Sequence, residues 1–234
     1  MRRLILPAAS LVLVTACSTP PTQRIESQAF GAVRNQSVAT TVRSTAEFTT
    51  MTAGNAMFGM LGAAAGISTG RKIVADNKVD DPANAIAAGL SQALQASQGA
   101  QPLAQRLQVD TDDVAQIANA AKGKARFVVD VKTISWTSAY FPFDWTHYRI
   151  MYAAHARLID ADTQKVLAQG MCKQVPETND GAPTYEELFG NGAARMKTIL
   201  ATHAENCVAS LKRDMLGMGG AAPGPTAAPA VAAQ

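Results

Sequence analysis

Apolar and polar positions alternate, repeat and cluster in different ways along this chain, and each pattern predicts a different element. Behind Arg2 and Arg3, residues 4–14 are largely apolar and run into small residues that end at Cys17, the layout of a secretory signal. Residues 18–30 carry Ser, Thr, Pro and Gln without an apolar period, which predicts a flexible stalk. In residues 38–48, Val38, Val42, Ala46 and Phe48 take one side while Arg43 and Glu47 take the other, a strand-like alternation in a Thr-rich setting. Asp81-Pro82 opens a helix with an aspartate cap and a proline in its first turn. Ile86, Leu90 and Leu94 follow at four-residue spacing, and Gly99 closes it. A second helix is predicted from Asp110 or Thr111 to Lys122-Gly123, with Val114, Ile117, Ala118 and Ala121 turned inward.

The pattern then changes to strands. Phe127-Val128-Val129-Asp130-Val131 reads as a buried strand that continues to Trp136, with Lys132 marking its approach to solvent. In residues 147–160, Tyr148, Ile150, Tyr152, Ala154, Ala156 and Leu158 face one way, and Arg149, His155 and Arg157 the other. A turn at Asp160-Ala161-Asp162-Thr163 leads into a hairpin strand over residues 166–173. Residues 137–146 are then a surface connection between strands. A closing helix starts at Thr184, which stands at capping-box spacing from Glu187, and runs to about residue 216. Gly190-Asn191-Gly192 can kink it, and Leu188, Met196, Ile199, Leu200, His203, Cys207 and Leu211 form one stripe. These elements predict an α/β fold, a mixed, partly antiparallel sheet flanked by helices, with an α+β sandwich as the alternative. The chain divides into a signal over 1–16, an amino-terminal stalk over 17–30, one domain over 31–216 and a disordered Gly/Ala/Pro tail over 217–234.

Residues 53–70 fit neither period. Gly62, Gly66 and Gly70 recur every four residues, so in a helix they share one face and admit another backbone closely. The segment predicts a tight packing helix or a mobile loop. The competing readings are membrane contact and self-association, although about 17 residues is short for ~30 Å of hydrocarbon. Gly66-Ile67-Ser68-Thr69-Gly70 also has the letters of a nucleophile elbow. That motif needs a buried strand before the serine and Asp and His partners after it, and Gly62-Ala63-Ala64-Ala65 is a poor strand. A hydrolase acting through Ser68 therefore ranks third among functions. A phosphate-binding loop fails because its glycines are spaced by four residues and followed by Lys, whereas Gly66 and Gly70 have three between them and Arg71 after.

Composition narrows the function. The whole chain has 21 basic and 18 acidic residues, but removal of the signal takes Arg2 and Arg3 with it and leaves a nearly neutral protein. With no basic cluster, a nucleic-acid partner is not expected. His147, His155 and His203 have no metal-site spacing, so neither a metal nor another cofactor is expected. The acidic pairs Asp112-Asp113 and Glu186-Glu187 sit at predicted helix starts, where the helix dipole accounts for them. The chain is expected not to be an enzyme.

Val14-Thr15-Ala16-Cys17 resembles the lipobox of bacterial lipoproteins. The resemblance implies that Cys17 is acylated, palmitate being the typical chain, and becomes the new N-terminus; it implies a membrane anchor without a span. Ser18, in place of the aspartate that retains lipoproteins at the inner membrane, implies an outer-membrane, periplasm-facing location. In that compartment Cys172 and Cys207 are expected to pair as a disulfide, two free buried thiols being the alternative.

The aromatic residues are concentrated. Trp136, Tyr140, Phe141, Phe143, Trp145, Tyr148 and Tyr152 hold seven of the chain's 13 aromatics. Tyr140, Phe141, Phe143 and Trp145 fall in the predicted connection and are the candidate partner-binding residues, unless the loop folds back over the sheet. The order of helices, buried strand and Asp-rich hairpin, carried by Phe127-Val128-Val129-Asp130-Val131 and by residues 156–163, is similar to a group of periplasmic domains. It includes the curli-secretion channel lipoprotein, the lipoprotein activators of penicillin-binding proteins and the amino-terminal domain of the Tol translocation protein. That resemblance implies a non-enzymatic binding or assembly factor for an envelope protein or glycan. An oligomeric export or pore component using residues 53–70 is the alternative.

Overall fold

The fold is built on two long antiparallel strands, β5 (Phe127–Phe141) and β6 (Asp144–Asp160), seen in a computed structural model that describes residues 21–219. At ~3.3 Å per residue, β6 alone reaches about 55 Å. β7 (Lys165–Gln174) pairs antiparallel with the second half of β6. Along the other edge of β5, two short parallel strands lie end to end: β1 (Ser37–Val42) against Phe127, Val128 and Val129, and β2 (Thr49–Met51) against Thr137, Ser138 and Ala139. β3 (Gln101–Pro102) and β4 (Leu107–Gln108) extend the sheet beyond β1, giving the order β3-β1-β5-β6-β7. The result is a mixed parallel and antiparallel α/β fold.

Helices cover the faces unequally. α4 (Pro82–Gln98) and α6 (Tyr185–Asp214) bury Ile86, Leu90, Leu94, Leu200 and Leu211 against Phe127, Val129, Trp136, Tyr152 and Leu158. On the opposite face, α5 (Val114–Ala121) covers only one end, packing Ile117, Ala118 and Ala121 on Val128 and Ile159. α1 (Ser27–Ala32), α2 (Ala53–Ala56) and α3 (Gly59–Asn77) complete the fold.

The helix ends follow side-chain chemistry. Asp81 accepts from the Ala83 amide, and Gly99 closes α4 in the left-handed conformation at φ +65°. Thr184 and Glu187 form a reciprocal capping box, and α6 leaves helical geometry at Gly190, Asn191, Gly192 and Ala193. α5 begins later than predicted. Asp113 is its cap, because Asp110 is engaged by Ser44 and Asp112 by Arg43 and Lys132.

Three sequence expectations need correction. First, residues 38–48 are not one strand. β1 ends at Val42, and Arg43 turns in to bond the carboxylate of Asp130 at 3.0 Å. β1 is buried at four successive positions because both of its faces are covered, so it does not alternate. Second, residues 137–146 are not a surface connection. Thr133 pairs with Ala154 but Ser135 with Ala153, a bulge that inserts one residue. Before it, Phe127, Val129, Val131 and Thr133 face the α4 and α6 side; after it, Trp136 and Ser138 are buried, and Phe141 follows beyond a second register shift. The changed phase hides the continuing strand from an alternation pattern.

Third, the stalk does not extend to residue 30. Gln23 exchanges backbone hydrogen bonds with Gln169 at 2.8 and 2.9 Å, Ile25 is buried and donates to the Met215 carbonyl at 2.9 Å, and α1 follows. The predicted signal, Cys17 and the tail from residue 220 lie outside the described residues.

Candidate functional site

The glycines of residues 53–70 face inward. A Cβ added at Gly70 would sit 1.9 Å from the Phe48 carbonyl oxygen, one at Gly66 2.6 Å from that of Thr50, and one at Gly62 1.7 Å from that of Asn55. Four helical residues advance ~6 Å, close to the ~6.6 Å of two strand residues, so Gly70 and Gly66 meet the alternate carbonyls of Phe48, just before β2, and Thr50 within it, while Gly62 meets that of Asn55 in α2. α3 thus lies along the edge of β2 that β5 leaves open, a close backbone approach that any side chain would block. The glycine face is an internal packing face.

A helix that buries glycine must turn its larger side chains elsewhere. Met57, Phe58, Met60 and Leu61 are 79, 69, 91 and 79% exposed, and Met51 at the end of β2 is 44% exposed. No charged residue occurs between Glu47 and Arg71, which pair with each other across the ends of this stretch.

The β5–β6 hairpin turns at Pro142 and Phe143, the latter at φ +67° and fully exposed. Trp145, 59% exposed, stacks on half-buried Tyr140 with centroids 5.4 Å apart. Phe141 departs from expectation: it is buried, its ring 5.2 Å from the Arg149 guanidinium, where the second register shift, between Tyr140 and Phe141, sets it opposite Asp144. Asp144 fastens the turn. It accepts from Asn179 Nδ2 at 2.6 Å, from the ring Nδ1 of His147 at 2.7 Å and from the amides of Thr146 and His147. The Asn179 bond first, then His147, lowers its carboxyl to about 2 against burial. This fastening is therefore complete above the ordinary aspartate pKa of ~3.9 and is lost as pH falls toward about 2.

Both apolar groups stand at one end of the molecule. β2 runs parallel to β5 toward the hairpin turn, Met51 lies opposite Ala139, and the chain beyond Met51 forms α2 and the first turns of α3 before α3 runs back along β2. Met57, Phe58, Met60, Leu61, Phe143 and Trp145 make this end the candidate site.

No protein-family model and no curated protein matches the chain. Among solved structures it is similar to the hypothetical protein CT253 from Chlamydia trachomatis, at 13% identity and a TM-score of 0.36 over 76% of this chain and 97% of that one. It is also similar to the PelC dodecamer from Paraburkholderia phytofirmans, at 14% identity and a TM-score of 0.27 over 79% and 95%. A third similar chain is the lipoprotein GNA1162 from Neisseria meningitidis, at 11% identity and a TM-score of 0.28 over 75% and 99%. At these TM-scores the likenesses transfer no function.

Other candidate groups have structural partners. Asp130, 1% exposed, is held by Arg43, by Arg157 at 2.7 and 3.0 Å and by the Thr41 hydroxyl at 2.9 Å, and Arg157 is itself buried. A lone Asp inside an apolar strand pattern was its only signal in the sequence. Asp81 takes the Thr133 hydroxyl besides capping α4. Ser68 sits exposed in the middle of α3, where no strand-to-helix elbow exists. His203 Nε2 meets the Ile150 carbonyl at 3.0 Å, and burial holds its pKa below the usual range. Among the described residues, no cluster of three or more His, Cys, Asp and Glu is placed to hold a metal. A cavity of about 400 Å³ at the start of α4 has Lys78, Arg106 and Lys197 facing Asp80 and Asp81, a mixed-charge lining. The sulfurs of Cys172 and Cys207 are bonded, with Cα atoms 5.4 Å apart, joining β7 to α6.

Proposed function

We propose that this protein is a lipid-anchored, periplasm-facing lipoprotein of the bacterial outer membrane that works by binding another component of the cell envelope rather than by catalysis. The observation that carries the reading is the exposed end formed by Met57, Phe58, Met60, Leu61, Phe143 and Trp145, on a chain whose Val14-Thr15-Ala16-Cys17 resembles a lipobox. Patches of this kind, uncharged and rich in Met and aromatic side chains, mark contact surfaces. No described helix is long and apolar enough to cross a membrane, so attachment in this reading falls to Cys17.

Metabolic labelling with palmitate, followed by membrane fractionation, tests the anchor. Label should enter the protein, and Cys17→Ser should abolish it and release the chain from the membrane fraction; an unlabelled wild-type protein would overturn the anchor. A photo-crosslinker at position 143 or 145 tests the contact, with adducts expected there and none from a probe at solvent-facing Lys124.

The second reading is an oligomeric export component. It rests on the same exposed residues, since the glycine face is occupied by β2. A ring or higher oligomer of the detergent-extracted protein that is lost on Leu61→Ser would favour it.

A further inference from the structure

We infer that the apolar end is a bilayer-docking surface, which makes the envelope component of the proposed function a lipid surface and rests on that reading. Three features point to lipid. The segment between Glu47 and Arg71 contributes apolar side chains, hydroxyls and the Asn55 amide but no charge, and the carboxylate beside the tip, Asp144, is engaged by Asn179 and His147, so the end offers little for ionic recognition of a protein or an anionic glycan. The large residues of the apolar end protrude almost fully: Met60 of that segment is 91% exposed and Phe143 of the hairpin turn wholly so. Side chains that stand clear of the surface insert into acyl chains without a complementary pocket, and a Trp beside them suits the headgroup boundary, where aromatic rings accumulate.

The third feature is the tether. Gln23 is already bonded to Gln169 of β7, so only six residue steps lead from Cys17 to the folded domain. Fully extended they span at most ~20 Å. Gln169 pairs with Arg157, and from Arg157 to the start of β6 at Asp144 the strand covers thirteen residues, about 43 Å. A lipid-bearing Cys17 and an inserted tip therefore touch one bilayer only if the long axis of the sheet lies within about 30° of the membrane plane. The domain lies along the membrane, held by acyl chains near one end and by the apolar tip at the other.

The chain's two tryptophans make the test direct, because Trp136 is buried and Trp145 is not. The full mature chain carrying Cys17→Ser is mixed with phosphatidylcholine vesicles, with and without brominated acyl chains, and binding is followed by flotation and tryptophan emission. Vesicles should shift the emission to shorter wavelength, and brominated lipid should quench it. Trp145→Phe should remove both signals while flotation persists. Met60→Ser combined with Leu61→Ser and Phe143→Ser should weaken flotation by roughly ten-fold or more without moving the thermal midpoint, and raised salt should leave it unchanged.

Failure of the unlipidated chain to bind vesicles would overturn the inference, as would binding that leaves Trp145 unaltered. Concentration-dependent self-association removed by the same triple substitution, with no vesicle binding, would assign the patch to a second copy and also overturn it. Because Cys17→Ser is used throughout, these outcomes are independent of the palmitate labelling that tests the anchor.

Discussion

Helices α3 and α4 are neighbours of similar length, 19 and 17 residues, and each repeats a residue type every four positions toward the sheet. They solve opposite problems. α4 stands over the sheet and fills the gap with Ile86, Leu90 and Leu94, all fully buried. α3 lies against the edge of β2, where the gap is closed by bringing backbone to backbone, and its buried positions are Gly62, Gly66 and Gly70. The same spacing thus means a filled interior in one helix and a removed one in the other. Apolar side chains that α4 hides, α3 displays. An apolar residue in a helix of this protein is buried only when the matching face has depth to receive it.

The comparison can be tested by substitutions of decreasing expected effect. Leu90→Ala removes a fully buried side chain from the α4 interior and should cost ~2–5 kcal/mol in denaturant unfolding, the range for a core cavity. A cost below that range would mean α4 packs more loosely than α3. Gly70→Ala adds a single methyl, yet it meets the Phe48 carbonyl, which cannot rotate away; the expected loss is ~1–3 kcal/mol, measured in the same way. Gly89→Ala in α4 is the internal control. Its Cβ would approach Val208 Cγ2 at 2.7 Å, a side-chain atom that can move, and the gain in helix propensity offsets that rearrangement to within ~1 kcal/mol. Equal effects for Gly70→Ala and Gly89→Ala would break the distinction between the two helices. Met60→Ser should shift the unfolding midpoint least, by under ~0.5 kcal/mol, because the side chain has almost no neighbours to lose.

Where local chemistry decides structure, the sequence was legible. Asp81-Pro82 and Gly99 bounded α4 because cap, proline and left-handed glycine act within a few residues of themselves. The alternation from Tyr148 to Leu158 matched the buried face of β6 because the residue inserted at the bulge, Ile134, lies in β5 and leaves β6 in phase. The mixed α/β class followed from such elements.

What escaped is set by distant partners. The bulge at Ile134 and Ser135 is an agreement between two strands that hides the continuation of β5, and the second register shift, between Tyr140 and Phe141, accompanies the burial of Phe141 under Arg149 rather than in the expected exposed set. At the site, Phe143 and Trp145 were legible as an aromatic tip. Met57, Phe58, Met60 and Leu61 were not, because their exposure depends on α3 meeting a strand edge rather than a sheet face. The Asp130 cluster was hidden for the same reason: Asp130 lies in β5, Arg157 in β6 and Arg43 just past the end of β1.

The closure of the amino-terminal segment on the last elements of the chain has a mechanical meaning. Gln23 is bonded to β7 and Ile25 to the end of α6, so a pull on the amino terminus divides between the two elements that Cys172 and Cys207 cross-link. The force reaches a covalent clasp before it reaches the rest of the sheet. Neither β7 nor α6 can be drawn off alone, and the load is spread over the longest helix and the central hairpin together.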